Sequence, residues 1–432
     1  MTVRRAQGLF VVSLASLGSM LVALALAARA GCLPSTFVAG LAISFIPYAG
    51  LLLAARSLRG LPPLRLAALA LLFGAPLVFA PPLLSDDLYR YLWEGRMWLE
   101  GFDPYRLAPD DLALAPLRDE VWEKINNPAI GSIYPPLSQL LFVLVAWFGG
   151  QVWVLKFLAL LAHAGTSAFV ARIVKSPEAP LAIALNPLLL SESALNGHLD
   201  ILCGLALLVT AWALTQQRYL RASIAVCVAV GLKVVGLALL PLFARRPKVL
   251  LGTTFASLLL LVPLFVERAP ADPVSGAGQF ASRWRGNESL FALADWASRQ
   301  AFGDTSADLA ARSITGLVFL VLCAFVVHRR VPSLAAARVL IWSVLLLSPQ
   351  VHPWYLAWLL PLELVAAGSA GLVWSAAVLC AYAPLDLWVS QGLWRMPAWL
   401  QVFEYSIVAL ALIVDPQRPT LQAQRVEGQF LL

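Results

Sequence analysis

Charge is what this chain has least of. Only 13% of its 432 residues are Asp, Glu, Lys or Arg, against 60% hydrophobic residues, which excludes an ordinary soluble globular domain. Cysteine is also sparse. Cys32, Cys203, Cys227, Cys323 and Cys380 are odd in number and scattered through apolar segments; they form no disulfide framework or metal-ligand spacing and are expected to be small core residues. The formal charge of +7 is spread over short loops, so it reads as topological bias and gives no reason to expect a nucleic-acid partner. No convincing inverted repeat is visible. The two long polar loops do not match each other, which weighs against a transporter or flippase built from repeated halves.

What is present is a succession of apolar runs of about 20 residues, each long enough to span a bilayer. Arg4-Arg5 and the following run to Ala28 imitate a signal peptide, and Ala28-Arg29-Ala30 imitates its cleavage site. The run exceeds a normal hydrophobic region and more spans follow, so it is read as an uncleaved first helix. About twelve crossings are expected, plus re-entrant or interfacial pieces, in an all-α polytopic membrane protein. One transmembrane domain covers 1–414 and a polar tail 415–432. The positive-inside rule puts Arg4-Arg5, the Arg56–Arg65 loop, Arg172/Lys175, Arg245-Arg246 and both termini in the cytoplasm. The long polar loops 85–139 and 267–312 then face outward, periplasmic or extracellular. Leu137 to Phe148 is too short to cross and is expected to be an interfacial or re-entrant helix. Ala222 to Ala244 has basic residues at both ends, which predicts a broken, re-entrant pair with its tip at Gly231-Leu232-Lys233.

The loop from Ser85 to Gln139 holds ten of the chain's 24 carboxylates, interleaved with Trp93, Trp98, Trp122, Tyr89, Tyr91, Tyr105 and Tyr134. A helix from Asp86 to Leu99, capped by Ser85, is expected to lie along the membrane on Leu88, Tyr91, Leu92, Trp98 and Leu99. Asp86, Arg90 and Glu94 are spaced i, i+4, i+8, so Arg90 is expected to pair with both carboxylates. That leaves Asp87 the freer aspartate, in the first helical turn, where the macrodipole keeps it ionised. Such a carboxylate suits a general base for a sugar hydroxyl; an amphipathic interfacial helix with solvated acids is the plainer reading.

Further polar positions stand out against the apolar background. His198 and Asp200, near Asn196 and Glu192, are too sparse for zinc and read either as a hydrogen-bonded turn or as a sugar or phosphate contact. Lys233 in an apolar segment either faces a polar cavity or snorkels. Arg283 and Arg285 have the chemistry of a phosphate clamp. Asn287-Glu288-Ser289 fits a glycosylation acceptor, a common chance match. His352, with Pro353, Trp354 and Tyr355, puts an imidazole beside aromatics.

Four blocks carry a resemblance that covers nearly the whole chain. They are Asp86-Asp87-Leu88-Tyr89-Arg90-Tyr91-Leu92-Trp93-Glu94-Gly95-Arg96 running on to Gly101-Phe102-Asp103-Pro104-Tyr105 and Tyr134-Pro135-Pro136; Gly197-His198-Leu199-Asp200; Gly231-Leu232-Lys233; and His352-Pro353-Trp354-Tyr355. The chain resembles the C-type glycosyltransferases, integral membrane enzymes that take sugar from polyprenyl-phosphate donors, and within them bacterial alpha-mannosyltransferases near glycosyltransferase family 87. A proline commonly follows the lysine of the third block in that family, and Val234 stands here. The resemblance implies inverting transfer of a hexose, mannose by likeness, to a glycolipid or glycan hydroxyl at the outer face. It also implies that Asp86 or Asp87 is the catalytic base. Arg90, Glu94, Arg96, Tyr134, His198, Asp200, Lys233, Arg283, Arg285, His352 and Tyr355 are the candidates for substrate contact. Membrane lipid is the surrounding partner, and no cofactor or metal is expected.

Overall fold

The structure is a computed structural model and describes residues 1–265 and 274–415. The start of the second long loop (267–273) and almost all of the tail assigned to 415–432 lie outside the described residues. Within them the chain is helical, with no named strand and one isolated bridge between Gly286 and Gln350.

Helices α1 (Val3–Arg29) and α2 (Pro34–Ala55) form a hairpin against α3 (Pro63–Val78). Ala6, Ser13, Leu17, Leu21, Leu24 and Ala28 recur on one side of α1 and are buried, while Val11, Val12, Val22 and Leu26 remain exposed. In an apolar helix that exposed side is the lipid-facing one. After the polar loop, α4 (Asp87–Leu99) and α5 (Pro136–Trp147) pack together, and α6 (Val152–Ile173) crosses beside α3. The next segment is not one helix. It divides into α7 (Glu178–Ala184), α8 (Pro187–Leu190) and a π-turn over Ser191–Leu195, because Pro187 cannot continue the hydrogen-bond ladder.

Helix α9 (Asp200–Thr215) is central. Its partner in the core is α16 (Leu356–Val365), every residue of which is buried. Gly204 allows that approach, since a Cβ there would run into the Ala357 carbonyl. Helix α10 (Tyr219–Leu232) stops at Lys233, whose backbone is extended at φ −150, ψ 137, and a tighter 3-10 stretch resumes over Val234–Phe243. The expected break thus falls at the third residue of Gly231-Leu232-Lys233.

The second half adds α11 (Pro247–Leu261), the short α12 (Gly276–Arg283), α13 (Leu290–Phe302), α14 (Asp304–His328) and α15 (Ser333–Leu347) ahead of α16. Helices α17 (Ala370–Ala377), α18 (Leu385–Gln391) and α19 (Ala398–Val414) follow it. α11 and α14 expose Leu251, Phe255, Leu258, Leu317, Leu320 and Val321, a lipid-facing surface. Among the described residues, six helical segments are long and apolar enough to cross a membrane; the shorter apolar helices, several of them joined across breaks, make up the rest of a polytopic membrane protein.

Candidate active site

The first polar loop is a packed layer and not a strip of interfacial helix. Leu88, Tyr91 and Leu92 of α4 pack on Phe142 and Val145 of α5 and on Leu155 and Ala159 of α6. The opposite face buries Trp93 and Met97 beneath Leu114 and Ile125 of the loop itself. Only Trp98 and Leu99, at its end, are exposed, so the expectation of a helix lying along the membrane is corrected: both faces are covered by protein. Gly95 makes the α4–α5 approach possible, because a Cβ there would meet the Phe142 carbonyl.

The helix starts one residue later than expected. Asp86, with φ −100 and ψ −3, is its cap position, and the Ser85 hydroxyl accepts a bond from Asp87 N at 3.3 Å. Asp86 therefore lies outside the i, i+4 register, and the expected pairing of Arg90 with both Asp86 and Glu94 is half formed. Arg90 Nε donates to Glu94 Oε1 at 2.5 Å, and its other nitrogens donate to the Asn127 and Ile130 carbonyls. The fully buried Glu94 also accepts from Ser132 Oγ at 2.7 Å and Gln139 Nε2 at 2.5 Å. This closed network fixes the 127–139 stretch and so sets Tyr134, whose ring packs edge-on to Tyr91 at 5.0 Å.

Above the layer opens a cavity of about 1110 Å³. Asp86, Asp87, Arg90, Tyr134, Lys233, Arg283, Arg285, His352 and Tyr355 all line it, although they span the chain from the first loop to the turn before α16. Glu94 lies beneath it in the Arg90 network. Arg96 points away and pairs with Asp119 at 2.5 Å in a half-exposed bridge. His198 and Asp200 are buried behind the wall, each against a residue that does line the cavity.

The two aspartates are clamped together by a residue the sequence did not flag. Asn126 Nδ2 donates to Asp86 Oδ1 at 2.5 Å and to Asp87 Oδ1 at 2.9 Å. The other oxygen of Asp87 faces His198 Nε2 at 3.8 Å, an ion-pair distance longer than a hydrogen bond. His198 Nδ1 meets Glu192 Oε2 at 2.8 Å. The environments of the two carboxylates therefore diverge. Burial, reinforced by the charge of Asp87, pushes the Asp86 carboxyl up to about 6. Burial also opposes ionisation of Asp87, but His198, Asn126 and His352 outweigh it and hold that carboxyl well below the usual range.

The remaining walls carry cations of unequal freedom. Lys233 Nζ faces Asp200 Oδ2 at 3.4 Å and sits 5.4 Å over the Tyr134 ring; Asp200 Oδ1 accepts from Trp358 Nε1 at 2.9 Å. Arg285 is committed to carboxylates: both Glu288 oxygens (2.6 and 2.8 Å), Asp295 at 3.0 Å and Asp308 at 3.5 Å. The paired phosphate clamp expected of Arg283 and Arg285 thus reduces to Arg283, whose recorded side-chain bond is to Gln279 Oε1 at 3.2 Å. Gly286 N donates to the Pro349 carbonyl, and Val351 N to the Gly286 carbonyl, both at 3.0 Å, which ties this arginine segment to the turn holding His352. The His352 ring stacks on Trp354 at 4.2 Å and contacts Gln350 Nε2. Burial holds its imidazole down at about 4, so it is neutral at pH 7. Asn287 is buried and donates to Glu404 Oε1 at 3.1 Å, so the glycosylation-type triplet serves packing.

Residues 58–246 match the family model described as Alpha-(1->6)-mannopyranosyltransferase, N-terminal domain. The chain is similar to bacterial alpha-mannosyltransferases. Over 181 residues it is 29% identical to Alpha-(1->6)-mannopyranosyltransferase A of Corynebacterium glutamicum, a match covering 38% of this chain and 35% of that relative. No solved structure matches the chain. The resemblance read from the first loop is thereby borne out as one to bacterial mannosyltransferases. The matched segment holds Asp86, Asp87, Tyr134, His198, Asp200 and Lys233, whereas Arg283, Arg285 and His352 lie beyond it.

Asn126, Glu192 and Tyr382 are the groups sequence reading missed or underused. Glu192 stood close enough to His198 to be noticed, but its place in a π-turn, which aims it back at the imidazole, had no signature in the spacing. Asn126 and Tyr382 carry no local signal at all.

Proposed function

We propose that this chain is a membrane glycosyltransferase that moves a mannosyl group from a polyprenyl-phosphate donor to a hydroxyl of a glycolipid or glycan. The observation that carries this reading is the Asn126-clamped carboxylate pair lining the same cavity as Lys233, Arg283 and His352, with the pair and Lys233 inside the segment similar to mannosyltransferases. A first-loop carboxylate takes the proton of the acceptor hydroxyl as its oxygen attacks the anomeric carbon. The carbon–oxygen bond to phosphate breaks in line, its electron pair leaves on the phosphate, and the anomeric configuration inverts. Lys233 and Arg283 supply positive charge for the departing phosphate, and the neutral His352 supplies a hydrogen bond. Two carboxylates flanking the scissile bond, as in a glycosidase, are not required. Trp388, Val389, Trp394 and Met396, which also line the cavity, suit a prenyl chain.

The reading also puts the cavity on the outer face, in keeping with the arginine distribution. On a cysteine-free background, cysteines at Ala113 and Ala297 are expected to react with an impermeant thiol reagent applied from outside, and one at Pro247 to be protected. The reverse pattern would move the cavity to the cytoplasm. For the activity itself, membranes containing the protein are incubated with a panel of polyprenyl-phosphate sugars and analysed for new glycolipid. Mannose transfer is expected. Translocation of the donor without a new glycosidic bond would sink the enzyme reading in favour of a flippase.

A further inference from the structure

His198 is the buried titratable group at the back of the cavity, and its surroundings define its charge. Glu192 Oε2 lies 2.8 Å from Nδ1, Asp87 Oδ2 lies 3.8 Å from Nε2, and the Trp354 ring stacks on its face at 4.0 Å. A neutral imidazole has one nitrogen with a lone pair, and here that lone pair would face a carboxylate whichever tautomer formed. An imidazolium carries an N–H on both nitrogens, so it hydrogen-bonds Glu192 on one side, faces Asp87 at ion-pair distance on the other, and meets the negative face of the indole. Glu192 is built to maintain this: Oε1 accepts from the Tyr382 hydroxyl and Oε2 also accepts from Asn196 Nδ2 at 3.3 Å. Tyr382 lies 190 residues away and is itself buried.

We infer that Glu192 is a positioning residue that keeps His198 an imidazolium against Asp87, so that Asp87 remains a fixed anion and Asp86 is the carboxylate that accepts the acceptor's proton. This rests on the glycosyl-transfer reading above. It divides the adjacent aspartates by neighbour: Asp87 has a cation on its free side, whereas Asp86 has only Asn126 as a recorded side-chain partner among the described residues. In the transfer step the hydroxyl proton moves to Asp86, the hydroxyl oxygen bonds the anomeric carbon, and the phosphate leaves with the electron pair. His198 neither gives nor takes a proton.

The other charged or titratable groups around this centre are few. His352 lies across Trp354 from His198, Tyr91 approaches the imidazole edge-on at 6.5 Å, and Lys156 beneath Gly197 donates to the Ala80 carbonyl at 2.6 Å. Two carboxylates against one imidazole favour its protonated form; they outweigh burial and hold it up to about 9.

The chain has four histidines, so ring-labelled histidine can be followed by NMR on the full-length protein in nanodiscs, with His198→Gln identifying the signal. His198 is expected to stay doubly protonated through neutral pH, and Glu192→Gln to lower its titration by about one to three pH units. In the transfer assay, the acid limb of kcat/KM is expected near the Asp86 value of about 6. It should move to higher pH in His198→Gln, which removes the charge that lowers the Asp86 pKa. Glu192→Asp, which keeps the charge but withdraws the oxygen, is expected to give a His198 titration between those of the wild type and Glu192→Gln, and it carries the test if the glutamine variant does not fold. A neutral His198 in the wild type overturns the inference, as does a Glu192→Gln variant with unchanged His198 titration or a His198→Gln variant with an unchanged acid limb. If the wild type transfers no sugar, the enzyme reading falls, while the histidine titration still decides the state of His198.

Discussion

Two polar segments rim the cavity, and they use charge in opposite ways. The first loop, 85–139, is mainly acidic. It spends Glu94 on Arg90 beneath the floor and leaves Asp86 and Asp87 on the wall, one beside a buried imidazole and the other beside an amide. The second segment, described from 274, looks the better phosphate binder by composition, yet its Arg285 is surrounded by Glu288, Asp295 and Asp308, and its Arg299 and Arg312 are each paired as well. A charge becomes available to a substrate when no opposite charge of the fold has already claimed it. By that criterion the proposed chemistry falls to the first loop, and most of the second segment is scaffold that delivers Arg283 and braces the His352 turn.

The largest effect that follows is at Asp86. Asp86→Asn is expected to lower transfer by at least ~10²-fold, the lower end of general-base contributions. Asp87→Asn should fall less, and its acid limb should move to lower pH. The sign follows from the neighbours: burial comes first and the like charge of Asp87 second in raising the Asp86 carboxyl to about 6, so removing the second lets Asp86 ionise earlier. If Asp87→Asn is the dead variant and Asp86→Asn the active one, the roles are exchanged but the first loop keeps the chemistry. Full activity of the double variant would remove the loop from the mechanism.

Lys233 comes next. Lys233→Met is expected to raise the barrier by ~2 to 4 kcal/mol, typical of losing one charge-stabilising group at a reacting oxygen; it also leaves the buried Asp200 without its cation. Lys233→Arg keeps the charge and should retain part of the rate. Equal rates for Met and Arg would make this lysine a packing residue.

How much of this was legible beforehand depended on whether the information was local. The span Val152–Ile173 and the break at Lys233 were readable because apolar length and basic flanks are local properties. The helix after Ser85 was also readable, but its first residue was misplaced by one, and that single step detached Asp86 from Arg90. The commitment of Arg285 was harder to see, because Asp295 and Asp308 sit 10 and 23 positions later on α13 and α14, and only the hairpin of those helices brings them together. Tyr382 reaches Glu192 across two-fifths of the chain, a contact no spacing rule encodes. The blocks that carry the family likeness include Asp86, Asp87, Arg90, Lys233 and His352 of the cavity wall; what they could not say is which charges are already taken.

His352 tests the neutral side of the same contrast. Burial holds it near 4, so the contribution proposed for it at the leaving phosphate is a neutral hydrogen bond. His352→Ala is expected to cost about tenfold in kcat, at the upper end of a neutral hydrogen bond. Because the imidazole is already neutral at pH 6, no loss of wild-type rate from this group should follow as pH rises from 6 to 8. A rate that falls through pH 6.5 and levels in His352→Ala would show instead that the charged form is used.

The smallest effect on turnover, and the sharpest contrast with Asp86, is expected at Arg285. It faces the same cavity and carries a full charge, so composition alone would rank it with Lys233 as a phosphate ligand. Its guanidinium is filled by Glu288 on both oxygens and by Asp295, with Asp308 at the edge, which leaves it little to offer a donor. Arg285→Ala should therefore change kcat/KM by no more than a few-fold. It should lower the thermal midpoint measurably, because three acids lose their shared cation, although partial exposure keeps each bridge near the ~1 kcal/mol of surface pairs. Arg283→Ala should behave in the opposite sense, raising the KM for the donor with little change in melting. If Arg285→Ala instead keeps its thermal midpoint and loses donor binding, the second segment is a phosphate site after all, and the division between a chemical loop and a bracing one does not hold.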